Sequence, residues 1–447
     1  MENRENIVAA IDVGTTKIVA LIGKKDEKGN IEILGYGRNE SKGIRRGAVL
    51  NVEEATRSIK RAVDEAEAKS GIKITEAYIG IAGQNIRSEH HEHTLNRASG
   101  SEPITAEEVD NLLKQMRNVP TPADEKVLHI LPQSYSVDNE HEIEKPEGIC
   151  GKQLTGKFHI VFGKEAAINT LRNCIENNNI KVLDIILEPL ASATSVLSEN
   201  DKELGVALVD IGGGTTDLAI YINKQIFHTN ILPFGGNAVT NDIKEGCKIL
   251  SSTAESLKVQ YGAATYDQTL ENKVVNIPGA DGLPAREISL TNLSKIIEAR
   301  MAEIINHINA IIEQVGASKQ LNAGIVFTGG GSMLRSLTQL ASRITAQDIR
   351  IGGPNKHIKS NKDITALPSN ATAIGLLMMG LDKNLISNNN IVITNKAEEK
   401  NDAAVEQKST AKANESKESF LERFGSSITK RIIDFVTDID PNDKDNI

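Results

Sequence analysis

Tryptophan is absent from the 447 residues, and the aromatic side chains together make up 3%. Proteins that grip single-stranded nucleic acid stack bases on aromatic rings, so that class is excluded. Basic residues are also short: 51 Lys and Arg stand against 60 Asp and Glu, for a net charge of −9. A phosphate backbone needs a basic surface, so no nucleic-acid partner is expected. The three cysteines, Cys150, Cys174 and Cys247, lie far apart and form no CxxC. This excludes a disulfide framework or a zinc ribbon and suits a reducing cytosol, with the thiols as small buried apolar groups. Long apolar runs are missing too. The longest, Ala371–Leu381, contains two glycines and is too short to span a bilayer. The opening MENRENIVAAIDVG has no secretory apolar region, so a cytoplasmic chain is expected. Neither GxxxxGK[ST] nor GxGxxG occurs, which removes the P-loop and the Rossmann fingerprint. What remains is an ordinary balance of 39% apolar and 25% charged residues, in a chain long enough for a large core.

Short apolar runs alternate with helical patterns over the first ~380 residues, an α/β rhythm with a mixed sheet. Strands are predicted at Ile7–Asp12, Val19–Ile22, Ile31–Tyr36 and Ala77–Ile81. Asn51 caps a helix whose apolar positions, Val52, Ala55, Ile59, Ala62, Val63 and Ala66, recur every three or four residues. From Gly83 to about Lys157 the pattern turns polar and irregular, with one clear helix at the capping box Thr105–Glu108, and reads as an inserted subdomain. Its His90, His91 and His93, beside Glu89 and Glu92, are possible metal ligands or, more simply, a solvated loop. Regular order returns with a strand at Phe158–Phe162, a helix over 164–177 and a strand at Val182–Leu187, and a second cycle starts at Gly205.

One internal similarity carries the chemistry. Ala10-Ile-Asp12-Val-Gly14-Thr15-Thr16-Lys17 recurs as Val209-Asp210-Ile-Gly212-Gly213-Gly214-Thr215-Thr216-Asp217, with the leading aspartates 198 residues apart (210 − 12). Each copy is an apolar strand, an aspartate, a Gly/Thr turn and a second apolar strand. Glycines let backbone N–H groups approach phosphate oxygens, threonines add donors, and Lys17 adds a point charge. Asp12 and Asp210 stand where a hard cation such as Mg2+, or its water, would bridge phosphates. A third glycine turn, Thr328-Gly329-Gly330-Gly331-Ser332, follows the strand Ile325–Phe327 and suits close approach of a flat adenosine. Glu255 and Lys258, three apart on one helix face, either bond a ribose or base or pair with each other.

These motifs, in this order, resemble the actin/Hsp70/sugar-kinase ATPase superfamily. The two connecting signatures are Leu187-Glu188-Pro189-Leu190-Ala191-Ser192 and Pro368–Leu377. Within it the chain resembles the FtsA family of bacterial cell-division proteins. Three features carry this: Ser41–Gly47 followed by Asn51-Val52-Glu53, an insertion after the strand at Ala77–Ile81, and an apolar-periodic C-terminal segment behind a polar linker. The resemblance implies duplicated actin-like (ribonuclease-H-like) halves around a nucleotide cleft. Subdomain 1A would be 1–83 and 161–200, the inserted 1C 84–160, 2A 201–234 and 308–383 (with a return to 1A), and 2B 235–307. A disordered linker at 384–418 and an amphipathic helix at 419–438 would follow. It further implies ATP with Mg2+, self-polymerisation, FtsZ bound through 2B, later division proteins bound through 1C, and at most a weak ATPase. Glu188 is the candidate to position a water, or else the carboxylate at the start of its helix. A sugar-type kinase and a pilus-assembly actin-like scaffold are the rival readings.

The tail shows its own pattern. At about 100° per residue, Phe420, Leu421, Phe424, Ile428, Ile432, Phe435 and Val436 share one helical arc, with Arg431 beside them. This is the form of a helix lying in an anionic membrane surface, or else of one that packs on the globular body or a partner; the family resemblance implies the former, with the chain peripheral on the inner face of the cell membrane at the division site. The preceding Ala397–Ser419 holds one large aliphatic residue, Val405, too little apolar surface to order it.

Overall fold

Each repeated hairpin opens a sheet of the same strand order. In the computed structural model, which describes residues 7–26, 28–266, 273–277, 285–354, 358–359 and 366–382, the strands Ile7–Val13, Lys17–Lys25 and Ile31–Glu40 form an antiparallel meander. Glu76–Ile81 and then Lys181–Leu187 add in parallel on the free side of Ile7–Val13. The second half repeats this with Val206–Ile211, Thr216–Ile222 and Gln225–Leu232 as the meander, and Ile325–Thr328 and Ile349–Ile351 as the parallel pair. Both read third-second-first-fourth-fifth, with a short sixth strand, Ile358–Lys359, added in parallel beside Ile31–Glu40 in the first sheet alone, so the expected duplicated α/β halves are present. The chain divides into two units, 1–396 and 397–447, and every described residue belongs to the first. The predicted linker at 384–418 and helix at 419–438 therefore lie outside the described residues. Among those described, no helix is long and apolar enough to cross a membrane.

Local signals place the helices. Asn51 accepts a hydrogen bond from the Glu54 N–H, and Val52–Ser70 buries Ala55, Ile59, Ala62, Val63 and Ala66 of the stripe read from the sequence, whereas Val52, in the first turn, is exposed. Gly71 ends it at φ 69°, a left-handed conformation that favours glycine. The apolar stretch Ala371–Leu381 is a core helix, buried along nearly its whole length. It lies so close to the helix Glu188–Val196 that a Cβ on Gly375 would fall 1.8 Å from the Ala191 carbonyl oxygen.

The region read as polar and irregular is instead ordered. Ile86–Asn96, Gln153–Lys164, Glu125–Val137 and Glu140–Ile143 form a separate antiparallel sheet. The helix Ala106–Met116, started by the expected capping box, buries Val109, Leu112 and Met116 against Ile130, Phe158 and Ile160. The stretch Phe158–Phe162 thus belongs to the inserted sheet, whose register with Ile86–Asn96 runs continuously from Gln153 to Gly163. His90, His91 and His93 lie on a strand, not a loop. That strand is an edge, so polar side chains occupy most of its length and mask its period of two. Of the three cysteines only Cys174 is fully buried.

The second half carries its own insertion: the helices Gly236–Cys247 and Ser251–Tyr261, the hairpin Val274–Ile277/Arg286–Ser289, and the long helix Leu290–Gln314, sharing a core with Val239, Ile243, Leu257 and Met301.

Replacing Gly375 by alanine should force the two core helices apart and lower the unfolding free energy by about 1–3 kcal/mol, as overpacking does. Urea denaturation of parent and variant checks this; an unchanged midpoint would contradict the close approach.

Candidate nucleotide site

The two repeated turns close at the same length, Val13 pairing with Ile18 and Ile211 with Thr216. Lys17 is therefore the register equivalent of Thr215. Asp217 lies opposite Asp210, where Val19 lies opposite Asp12. The turns meet each other. A Cβ on Gly213 would fall 2.2 Å from Thr16 Cγ2, and one on Gly214 2.5 Å from Thr15 Oγ1. These two glycines leave room for the other half's threonines, a reason for glycine separate from phosphate approach.

The third turn lies directly against the second. Gly329 has φ 83°, and a Cβ there would fall 2.2 Å from Asp210 Oδ1. Its N–H donates to the Pro368 carbonyl, as does Thr328 Oγ1. A Cβ on Gly331 would strike Ile211 Cγ2 at 2.4 Å, whereas one on Gly330 would meet nothing within 4 Å. A single 3-10 turn, Gly330–Met333, follows, and the next α-helix begins only at Leu337. Ser332 is buried and its hydroxyl donates to the Gly329 carbonyl at 2.8 Å, so it shapes the turn.

Beneath the turns sit the acids. Asp12, Asp210 and Asp217 are buried and Glu188 is half-buried. Asp210 Oδ2 accepts from Ser192 Oγ at 2.7 Å and Thr372 Oγ1 at 3.1 Å, one from each connecting signature. The Asp217 Oδ1 atom is buried with no hydrogen-bond partner. Lys17 Nζ donates to the Ser369 carbonyl and, at 3.1 Å, to Asn370 Oδ1. Glu188 opens the helix Glu188–Val196, close to the Cα of Gly80. To one side, Lys258 Nζ bonds Glu255 Oε2 at 2.7 Å, Thr240 Oγ1 at 2.8 Å and the Gly236 carbonyl at 3.1 Å. The N–H groups of Gly236 and Asn237 donate to the carbonyls of Gly212 and Gly213, which ties this group to the second turn. The fold thus gathers all three glycine turns, the four acids, Lys17 and the Glu255–Lys258 pair around one region. Asp217, Ser192 and Thr372 were not singled out as site residues from the sequence; hairpin register was the signal for Asp217.

Comparison with known proteins decides the family. The profile described as "Cell division protein FtsA" matches residues 207–375, and the "SHS2 domain inserted in FTSA" matches 83–162. Cell division protein FtsA of Pseudomonas aeruginosa is 37% identical over 377 residues, covering 84% of this chain and 90% of that one. The Escherichia coli K12 protein of the same name is 32% identical over 386 residues, covering 85% and 91%. The chain belongs to the FtsA family of cell-division proteins. Its fold is actin-like. A type IV pilus biogenesis complex, PilM-PilN, superposes with a TM-score of 0.62 at 14% identity, covering 84% of this chain and 98% of that one. MreB5 of Spiroplasma citri bound to ADP gives 0.54 at 15%, covering 86% and 99%.

The electrostatics of this FtsA-family cleft follow from burial. Desolvation raises Asp12 to about 6, with Lys17 opposing and Asp210 adding to the rise. Glu188 and Asp217 are pushed well above the usual carboxylate range, by burial first and then by neighbouring acids. Asp210 rises less far, because Ser192 and Thr372 donate to its charged form. Burial lowers Lys17. Carboxylate oxygens crowded in this way, one of them with no donor, suit a hard divalent cation. Asp12 and Asp210 would hold Mg2+ directly or through water, and the ion would neutralise phosphate and carboxylate charge alike.

Between the unfolded value near 3.8 and the folded value of about 6, Asp12 keeps a proton that the unfolded chain has released. Stability from this group is therefore present at low pH and lost as pH rises through that window. In magnesium-free buffer, Asp12→Asn should gain about 2 kcal/mol on the parent between pH 4 and pH 7. A difference independent of pH in denaturant titrations would contradict the assignment.

Proposed function

We propose that the chain is an ATP-binding, polymerising scaffold that tethers the FtsZ ring to the inner face of the cytoplasmic membrane. The observation that carries the nucleotide reading is the meeting of three glycine turns over four acids and Lys17. The triphosphate is assigned to Asp12, Gly14, Thr15, Thr16 and Lys17 on one side and to Asp210, Gly212, Gly213, Gly214, Thr215 and Thr216 on the other. The adenosine is assigned to Gly329, Gly330 and Gly331, with Ser332 holding their turn, and the ribose to Glu255 and Lys258. Binding of ADP and AMPPNP by MreB5 of Spiroplasma citri, which shares the fold, supports this.

In the mechanism, Lys17 is aimed by its bonds to Ser369 and Asn370 and supplies positive charge to the phosphates. Ser192 and Thr372 keep Asp210 oriented. A magnesium ion supplies charge neutralisation when bound. Glu188 is the group to orient a water. Burial and the neighbouring acids raise the Glu188 carboxyl well above the usual carboxylate range. The assembly roles rest on family membership: FtsZ through 2B at 235–307, later division proteins through 1C at 84–160, and a second copy of the chain in a polymer. Membrane attachment rests on the pattern of Phe420, Leu421, Phe424, Ile428, Arg431, Ile432, Phe435 and Val436 alone. One such helix binds reversibly, and a polymer presenting many gains avidity.

Calorimetry tests the pocket. Asp210→Ala should weaken ATP binding tenfold or more. Gly330→Arg should fold normally, since its Cβ position is open, yet block the adenosine. Parent-like affinity in both would remove the site assignment.

Vesicle sedimentation tests the tail. Phe424→Glu with Ile428→Glu should abolish co-sedimentation with anionic vesicles and leave ATP affinity intact. Undiminished sedimentation would sink the tethering role.

A further inference from the structure

We propose that His90, His159 and His228 form a binding site for a divalent transition-metal ion of the zinc class, which would join the inserted sheet to the edge strand of the second half. One ring nitrogen from each lies within 4.8 Å of the other two. The ring centroids stand 5.0 Å apart for His90 and His159, 5.7 Å for His159 and His228, and 5.9 Å for His90 and His228. The three come from separate strands. His90 and His159 are directly paired across Ile86–Asn96 and Gln153–Lys164, and His228 is on Gln225–Leu232. None belongs to the turns of the nucleotide site.

Two of the three rings, His90 and His159, hold one nitrogen against a protein oxygen, as metal-ligating histidines do. His90 Nε2 lies 3.0 Å from the Phe227 carbonyl oxygen. A carbonyl only accepts, so Nε2 carries the hydrogen and the neutral ring keeps a lone pair on Nδ1. His159 Nε2 lies 2.7 Å from Thr229 Oγ1. The Nδ1 atoms of His159 and His228 are both buried and have no hydrogen-bond partner. Buried polar atoms are normally satisfied, so two unpartnered ring nitrogens in one three-histidine cluster call for an explanation. Ligating histidines characteristically give one nitrogen to the metal and donate the other N–H to a protein oxygen. Burial lowers His228 to about 4, and burial together with the neighbouring rings lowers His159 well below the usual imidazole value, which favours the neutral form that ligates.

Donor type sets the ion. Three imidazoles favour zinc, nickel or copper over magnesium, which prefers oxygen. Zn–N bonds of about 2.0–2.1 Å place ligand nitrogens about 3.3 Å apart, so loading draws the rings inward. His90 is exposed, leaving a fourth position to water. The surrounding contact is already built: Ser88 Oγ donates to the Thr229 carbonyl at 2.9 Å, and Gln133 Nε2 to the Phe227 carbonyl at 2.7 Å. A bound ion would therefore clamp an existing junction rather than create one.

The test uses the full chain in magnesium-containing buffer, with zinc affinity read by competition against a chromophoric chelator. One zinc per chain is expected, with affinity reduced at least 100-fold in His90→Gln and in His228→Gln. Zinc should raise the melting temperature of the parent and not of these variants, and cobalt in its place should give a visible absorption band lost in both. His91→Gln with His93→Gln, on the other face of the same strand, should bind as the parent does. No stoichiometric zinc in the parent, parent-like affinity in His228→Gln, or a loss confined to the His91/His93 variant would each overturn the proposal.

Discussion

Four acids, Asp12, Glu188, Asp210 and Asp217, share one desolvated region with Lys17. Carboxylates out of water repel one another and lack the hydration that would stabilise their charge, so protons, donors or a cation must answer them. Much of the surrounding architecture serves that need. Ser192 comes from the helix after the first sheet's fifth strand, and Thr372 from the helix that returns to that sheet; both donate to an aspartate of the second half. The group that holds the acids therefore also joins the halves.

Duplication is clear in topology and broken in use. The five strands common to the two sheets have the same order and both turns the same length. Yet the register position of Lys17 holds Thr215, and that of Val19 holds Asp217. One half contributes the cation and the other the extra acid. The insertions differ as well. The first follows the fourth strand, Glu76–Ile81, while the second follows the third, Gln225–Leu232. The first insertion folds on its own core of Leu112, Ile130, Phe158 and Ile160 and meets the second half through Ser88, His90, Gln133 and His159.

Local chemistry was legible in the sequence. The Asn51 cap, the stripe of Val52–Ser70, the Thr105–Glu108 box and the two hairpins each follow from neighbours within a few positions. The motifs were also enough to indicate that three glycine turns would converge. Features made by distant residues were not legible. Ile86–Asn96 is an edge strand whose polar side chains hide its alternation. The reason for glycine at 213 and 214 lies in Thr16 and Thr15 of the other half. Matching the two Thr-Thr pairs by eye obscures the Asp217–Asp210 pairing that hairpin length dictates. The histidine trio draws one member from each of three strands, and only His90 came from the cluster conspicuous in the sequence.

If the cleft takes a triphosphate as proposed, its buried acids call for a divalent cation to accompany it. Titration of the full chain with a fluorescent ATP analogue, in magnesium and again in excess EDTA at the same ionic strength, tests it most directly. Affinity should be at least tenfold weaker without magnesium, because phosphate charge then faces carboxylates with no cation between them. Equal affinity under both conditions would contradict it.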